Sequence, residues 1–259
     1  MKCTARSAAL AATSIALLAG TASAQLRVAS WNISNYGGGR TADIQNAVYG
    51  TFESRSMSPD VFLGQEFLSQ SAVSQFLLAL NTAPGSPGDW AAAPFIDGPD
   101  TDNAFFYRTS RVQFLGQTIA SVGGGSTSLP PRHTIRYDVR LLGYSSPKAI
   151  LSMYSSHMKA GSSSSDQARR LIEAQRVRDD VLTFNDGRSF LIGGDFNIQS
   201  SSQSAYQTML QVFVDPIKTP GSWNNNGAFR MVHTQDPVGA GGMDDRHDQI
   251  LIGTSLVNL

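Results

Sequence analysis

The stretch Phe190-Leu191-Ile192-Gly193-Gly194-Asp195-Phe196-Asn197 constrains the fold of this chain more than any other. A buried apolar run ends in two glycines, and an acid and an amide follow with one aromatic between them. Glycine takes backbone angles that other residues avoid and lets another group come close. Alternate side chains of an extended chain share a face. Asp195 and Asn197 are therefore expected to look into one cleft while Phe196 packs the other way. That suits a catalytic carboxylate at the rim of a sheet. It equally suits an ordinary strand running into a turn, for which Gly, Asp and Asn are common residues.

Other apolar strands end the same way, which shifts the balance. Leu26 to Trp31 reads as a strand ending at Asn32. Val61-Phe62-Leu63 is a buried strand ending at Gln65-Glu66. Lys148 to Ser156 is a strand ending at His157. Between them lie segments of helical spacing: Thr41 to Tyr49 with Thr41 as N-cap, Ser69 to Leu80, Asp166 to Leu182 and Ser202 to Phe213. Asn103 to Arg108 and Val112 to Ile119 read as a hairpin pair. His133 to Leu142 is a long strand with Ile135, Tyr137 and Val139 on one face, and Arg246 to Ile252 is a final strand. Asn81 to Pro99, Ser121 to Ser128 and Pro216 to Pro237 are rich in loop and turn residues. Strands alternating with helices and hairpins, with no internal repeat or domain boundary, predict one layered α/β domain.

The 259 residues carry balanced charge, enough chain for one domain with a substantial core. No strongly basic composition marks a protein that coats nucleic acid. Lys2 and Arg6 precede an apolar stretch from Ala8 to Ala19 and a small-residue site at Ala22-Ser23-Ala24. Residues 1–24 therefore read as a cleaved signal peptide and 25–259 as the working domain, secreted or periplasmic. The apolar stretch is short for a membrane span, which needs roughly 20 apolar residues. The single cysteine, Cys3, lies in that leader, so the mature chain forms no disulfide. Removing Lys2 and Arg6 from the 20 basic residues leaves 18 against 20 acidic ones, a formal charge of about −2.

The residues that end the strands suit one chemistry. Mg²⁺ prefers oxygen ligands, often one or two carboxylates completed by water and substrate phosphate. Glu66 supplies a carboxylate and Asn32 an amide oxygen. Asp195 can orient or deprotonate a water, and the imidazole of His157 can stabilise charge on a phosphoryl oxygen. Taken singly, Asn32 also suits a turn cap, Glu66 a surface acid and His157 a structural histidine. The four together are harder to account for in those terms.

Val28-Ala29-Ser30-Trp31-Asn32, Gly64-Gln65-Glu66, Ser156-His157-Met158-Lys159-Ala160-Gly161 and Gly193-Gly194-Asp195-Phe196-Asn197 occur in the order seen in the endonuclease/exonuclease/phosphatase superfamily. The chain resembles that family over nearly all of its mature length. The resemblance implies the DNase I-like fold, a four-layer α/β sandwich of two packed mixed sheets flanked by helices. It implies a phosphoesterase that hydrolyses a phosphodiester by in-line attack of water, acting as a monomer without a transmembrane segment. Asn32 and Glu66 would hold Mg²⁺, with Mn²⁺ or Ca²⁺ as alternatives. Asp195 would activate water, Asn197 would orient it or the phosphate, and His157 would contact the scissile phosphate. Asn103 to Arg108 resembles the family strand that offers a tyrosine to the phosphate, which nominates Tyr107. A core aromatic beside Phe105 and Phe106 is an equal reading of that residue. Arg246 to Leu251 resembles the family's Arg-x-Asp-x-Ile-Leu strand, which makes Asp248 its late aspartate.

One departure stands out. In the family that aspartate holds a second histidine, from a Ser-Asp-His segment on the last strand, and no such segment follows Asp248 here. The domain is therefore expected to be C-terminally incomplete, with its last strand or strands missing. His247 neighbours Asp248 within a strand, so the two side chains are expected on opposite faces. His133 and His233 read as structural or surface residues. An alternative follows: a catalytically impaired family member acting as a secreted binding module. The substrate, whether nucleic acid or a small phosphodiester, is not fixed by any loop.

Overall fold

The computed structural model describes residues 25–235 and 242–257. The expected leader, residues 1–24, lies outside the described residues. Strands β1 (Val28–Tyr36), β2 (Val61–Phe67), β3 (Trp90–Ala92) and β4 (Asp102–Arg108) form one sheet in the order β1-β2-β4-β3. Strands β5 (Val112–Ser121), β6 (Thr134–Leu141), β7 (Ile150–His157), β8 (Ser189–Asp195), β9 (Phe213–Val214) and β10 (Asp248–Gly253) form a second, in the order β5-β6-β7-β8-β10-β9. Both sheets are mixed. β1 runs parallel to β2 and β7 parallel to β8, and the remaining pairs are antiparallel.

Three apolar clusters order the layers. Val61, Leu63 and Phe105 of the first sheet pack with Ile135, Tyr137, Val139, Met153 and Leu191 of the second. The opposite face of the first sheet, with Phe62 and Phe106, is covered by α1 (Thr41–Tyr49) and α2 (Gln70–Thr82) through Ile44, Val48, Val73, Phe76 and Leu80. The opposite face of the second, with Tyr154, Ile192 and Leu251, is covered by α3 (Ser164–Leu182) and α4 (Ser204–Met209) through Ala174, Val177, Ala205 and Met209. The result is helix, sheet, sheet, helix, as expected from the sequence. Period-2 alternation feeds both faces of each strand, and burying each large apolar side chain contributes roughly 1.5–3 kcal/mol.

Local signals account for most boundaries. Ser69 caps α2 by accepting from Ala72 N–H at 3.1 Å. Ser163 and Asp166 form a reciprocal capping box on α3. Thr41 is not the cap of α1: Arg40 takes that place in a left-handed conformation with no side-chain cap, and Thr41 is the first helical residue. The expected helix at 202–213 shortens to α4 because Phe213-Val214 leaves it to pair with Ile252 and Gly253. The loop at 81–99 contains β3, held as an edge strand against Tyr107 in β4.

Candidate active site

Five strands send a period-2 line of side chains into the layer between the sheets, and each line turns polar at the same end. The lines run Val28-Ser30-Asn32, Val61-Leu63-Gln65, Met153-Ser155-His157 and Leu191-Gly193-Asp195, with Asp248-Ile250-Ile252 entering from the opposite direction on antiparallel β10. The register sets His157 against Asp195, and Asp195 against Asp248.

The glycines of the opening motif have separate jobs. A Cβ at Gly193 would meet Leu63 at 2.9 Å and Ser30 at 3.3 Å, so its hydrogen lets the sheets close. Gly194 has φ 149°, and a Cβ there would come within 1.8 Å of the Ser156 carbonyl oxygen. No other residue fits.

Glu66 is aimed by a bulge. Gly64 pairs with Ala104 and Phe67 with Asp102, so Gln65 and Glu66 together oppose Asn103. Such bulges bend a strand and redirect a side chain. Glu66 pays in conformation with a left-handed φ of 64°. Its carboxylate accepts from Asn35 N–H at 2.7 Å and from the Asn32 side-chain amide at 2.9 Å.

That Asn32 amide is the hub. Its second donor reaches Oδ2 of Asp195 at 3.0 Å, while its oxygen accepts from Ser34 N–H at 3.1 Å. His157 sits beside both acids, with Nδ1 3.7 Å from Glu66 Oε1 and Nε2 3.7 Å from Asp195 Oδ2. Those separations exceed hydrogen-bond length. Burial pulls the His157 pKa below its ordinary value against the opposing pull of the Asp195 charge, which favours the neutral ring. Burial, reinforced by the Asp195 charge, pushes the Asp248 carboxyl up to about 8. Its Oδ1 is buried without a partner.

Asn197 is not poised toward the cleft as its spacing suggested. It has φ 51°, and its side-chain amide donates to the Met158 carbonyl at 3.1 Å. Its backbone N–H donates to Asp195 Oδ1 at 3.0 Å. It holds Asp195 and the end of β7 together, while Phe196 is fully buried against the α3–α4 layer as expected. Tyr107 is not brought to the cluster. β4 is antiparallel to β2, so Tyr107 lies opposite Val61, at the far end of β2 from Glu66, stacked on Phe114 at 5.4 Å. The residue of β4 at the cleft end is Asn103, two steps before Phe105. It donates to the His133 carbonyl at 2.7 Å and accepts from Ser155 Oγ at 2.9 Å. Reading that strand backwards would have found it. Gln65, fully buried, donates to Ser155 Oγ at 2.9 Å and ties the sheets together just below the acids.

His247 departs from expectation too. It precedes β10 rather than lying within it, so strand alternation does not govern it. Its Nδ1 lies 2.7 Å from Gln235 Oε1, and Gln235 Nε2 donates to Asp195 Oδ2 at 2.9 Å. No sequence signal marked Gln235, which sits in the turn-rich segment. His133 accepts from Gly123 N–H, and His233 Nδ1 meets the Met243 carbonyl at 3.0 Å, both structural roles. A cleft of about 660 Å³ opens beside Asn32, Gln235 and Asp248.

The donor chemistry fits a hard divalent cation. Glu66 and Asp195 share the Asn32 amide, Asp248 lies opposite Asp195 in the β8–β10 register, and Oδ1 of Asp248 is unpartnered. Among the described residues no group of three or more His, Cys, Asp or Glu forms a metal cage. Mg²⁺ needs only one or two carboxylates when water and phosphate complete its shell. Glu66, with Asn32 beside it, would hold such a cation.

The two packed mixed sheets between helical layers make a DNase I-like fold, shared with the solved structures that the chain is similar to. The chain is similar to an endonuclease/exonuclease/phosphatase family protein from Bacteroides thetaiotaomicron, with 16% identity, 88% of this chain and 83% of that one covered, and a TM-score of 0.55. It is similar to a mannosyl-6-phosphatase from the same organism, with 19% identity, 89% and 86% covered, and a TM-score of 0.55. It is also similar to TDP2 from D. rerio in complex with a single-strand DNA product, with 16% identity, 86% and 82% covered, and a TM-score of 0.55. No protein-family model and no curated protein matches the sequence.

Proposed function

We propose that this protein is a divalent-cation-dependent phosphoesterase that hydrolyses a phosphodiester with water as nucleophile. The observation that carries the reading is the meeting of Asn32, Glu66, His157 and Asp195, residues far apart in sequence, through one shared amide at the open end of the inter-sheet layer. A carboxylate offers about four acceptor positions. Those of Asp195 take bonds from Asn32, Gln235 and Asn197 N–H, leaving room on Oδ1 for a water hydrogen. Asp195 therefore orients the water and takes its proton as phosphorus is attacked. Neutral His157 donates one ring N–H to a phosphoryl oxygen, and Asn197 keeps Asp195 in place. A bound cation would supply Lewis-acid stabilisation of charge on the phosphoryl oxygens. Phosphoryl transfer depends chiefly on such positioning and charge stabilisation.

The substrate proposed is a nucleic-acid or other small phosphodiester. The similarity in fold to TDP2 in complex with a single-strand DNA product and to a mannosyl-6-phosphatase supports a phosphoester substrate, and the DNA complex favours a nucleic acid. Export from the cell is proposed from Ala22-Ser23-Ala24 and the apolar stretch before it. No helix among the described residues is long and apolar enough to cross a membrane. A second reading, an impaired relative serving as a binding module, draws on Asp248, whose Oδ1 has no partner.

Hydrolysis of bis(p-nitrophenyl) phosphate separates the two. Turnover with Mg²⁺ is expected, abolished by EDTA and reduced roughly 10²–10⁴-fold by Asp195→Asn. Turnover indifferent to EDTA overturns the cation dependence, turnover unaltered by Asp195→Asn overturns the role of Asp195, and absence of turnover overturns the enzyme reading.

A further inference from the structure

We infer that Gln235 and His247 form a positioning chain that fixes the Asp195 carboxylate; this rests on Asp195 being the water-orienting acid. The Gln235 side chain spans two partners. Its Nε2 lies 2.9 Å from Asp195 Oδ2, and its Oε1 lies 2.7 Å from His247 Nδ1. The direction of the chain follows from chemistry. An ionised carboxylate only accepts, so the amide must present NH₂ to Asp195 and its oxygen to His247. The oxygen only accepts, so His247 must carry a hydrogen on Nδ1. Asp195 thus dictates the amide orientation, and the amide dictates the histidine tautomer.

The anchoring is firm at both ends. His247 is 9% exposed, and its backbone carbonyl accepts from Phe196 N–H at 2.8 Å, the residue after Asp195. One segment therefore grips the Asp195 region twice, once through the backbone and once through Gln235. The Gln235 bond lands on Oδ2, the oxygen that also meets Asn32 and faces His157. With Oδ2 held from two sides and Oδ1 held by Asn197 N–H, the carboxylate has one rotamer. Its free acceptor position then points one way. Gln235 and His247 need not touch substrate for this; they act through Asp195.

Two measurements on the full chain test the inference. In ¹⁵N NMR of the histidine rings, His247 is expected as the Nδ1–H tautomer, moving toward an Nε2–H mixture in Gln235→Leu. With bis(p-nitrophenyl) phosphate and Mg²⁺, Gln235→Leu is expected to lower kcat roughly 10–100-fold, the usual cost of losing an outer partner of a metal-site residue, with KM within about twofold. His247→Leu should lower kcat similarly. His247→Asn, whose side-chain N–H can stand where Nδ1–H stood, should recover most of it. The double Leu variant should be no worse than Gln235→Leu, because both break one chain. Should Gln235→Leu fail to fold, Gln235→Asn, one methylene too short to reach both partners, replaces it. An Nε2–H tautomer in the wild type, a kcat unchanged by Gln235→Leu, or additive single effects would overturn the inference. A wild type without turnover sinks the phosphoesterase reading and the positioning role with it, while the tautomer still reports whether the chain of bonds exists.

Discussion

One polar cluster lies on the outer face of the six-stranded sheet and another between the two sheets, and they are built on opposite principles. On the outer face, Arg136 reaches Asp138 at 3.2 Å and Asp180 at 2.6 Å, and Arg188 lies 3.6 Å from Asp138. Tyr154 and Ser152 hydroxyls donate to the same two acids at 2.7 and 2.6 Å. The Phe184 ring is flanked by both guanidinium groups, at 4.7 and 3.9 Å. Every acid there faces a cation. At the inter-sheet end, Glu66, Asp195 and Asp248 face amides and one another. Taking one partner from a charge-balanced cluster leaves the other uncompensated and destabilises the fold, whereas unbalanced acids hold potential for binding and chemistry at some cost to stability. Acids left without a balancing cation are what the proposed phosphoesterase site is built from.

Glu66→Gln should expose this contrast most sharply. Turnover should fall on the order of 10²-fold or more as the carboxylate proposed to hold a cation is lost. The urea midpoint should move less than in the next variant, because relieved repulsion offsets weakened hydrogen bonds. A large stability loss would make Glu66 a structural acid and erase the difference between the clusters. Asp180→Asn should do the reverse, lowering stability by about 1.5–3 kcal/mol, the value of charged hydrogen bonds, with kcat unchanged. Equal effects on both readouts would break the distinction.

A third variant tests the ground between the clusters. Glu173 is buried in α3 and accepts from Lys159 N–H at 3.2 Å, two residues past His157. Burial pushes its carboxyl up to about 8. A folded-state pKa above the unfolded value means the native protein binds the extra proton between roughly pH 4.5 and 8. Stability should therefore decline through that window and level off above it. Glu173→Gln should flatten this slope in urea titrations run from pH 5 to 9; an unchanged slope would assign the decline to other groups.

The layers were legible because apolar alternation writes sheet faces directly into sequence: Ile135, Tyr137 and Val139 share the inter-sheet face as expected. The meeting of Asn32, Glu66, His157 and Asp195 was legible because each ends an apolar run. What stayed hidden depends on strand direction or on contacts across the chain. Tyr107 and Asn103 exchange ends once β4 is known to be antiparallel, which no local pattern states. The amide of Asn197 turns to Met158 because its backbone is left-handed, not extended. Gln235 lies 40 residues from Asp195, in a segment without periodicity.

The bulge at Glu66 carries a consequence for anyone improving this protein by heat challenge alone. A left-handed backbone costs an ordinary residue roughly 1–2 kcal/mol, and glycine escapes it. Glu66→Gly would release that strain while giving up the bonds from Asn35 N–H and the Asn32 amide, so a melting curve alone would report little of the loss of this acid. Any such campaign must score turnover alongside melting temperature, or the carboxylate will disappear unnoticed.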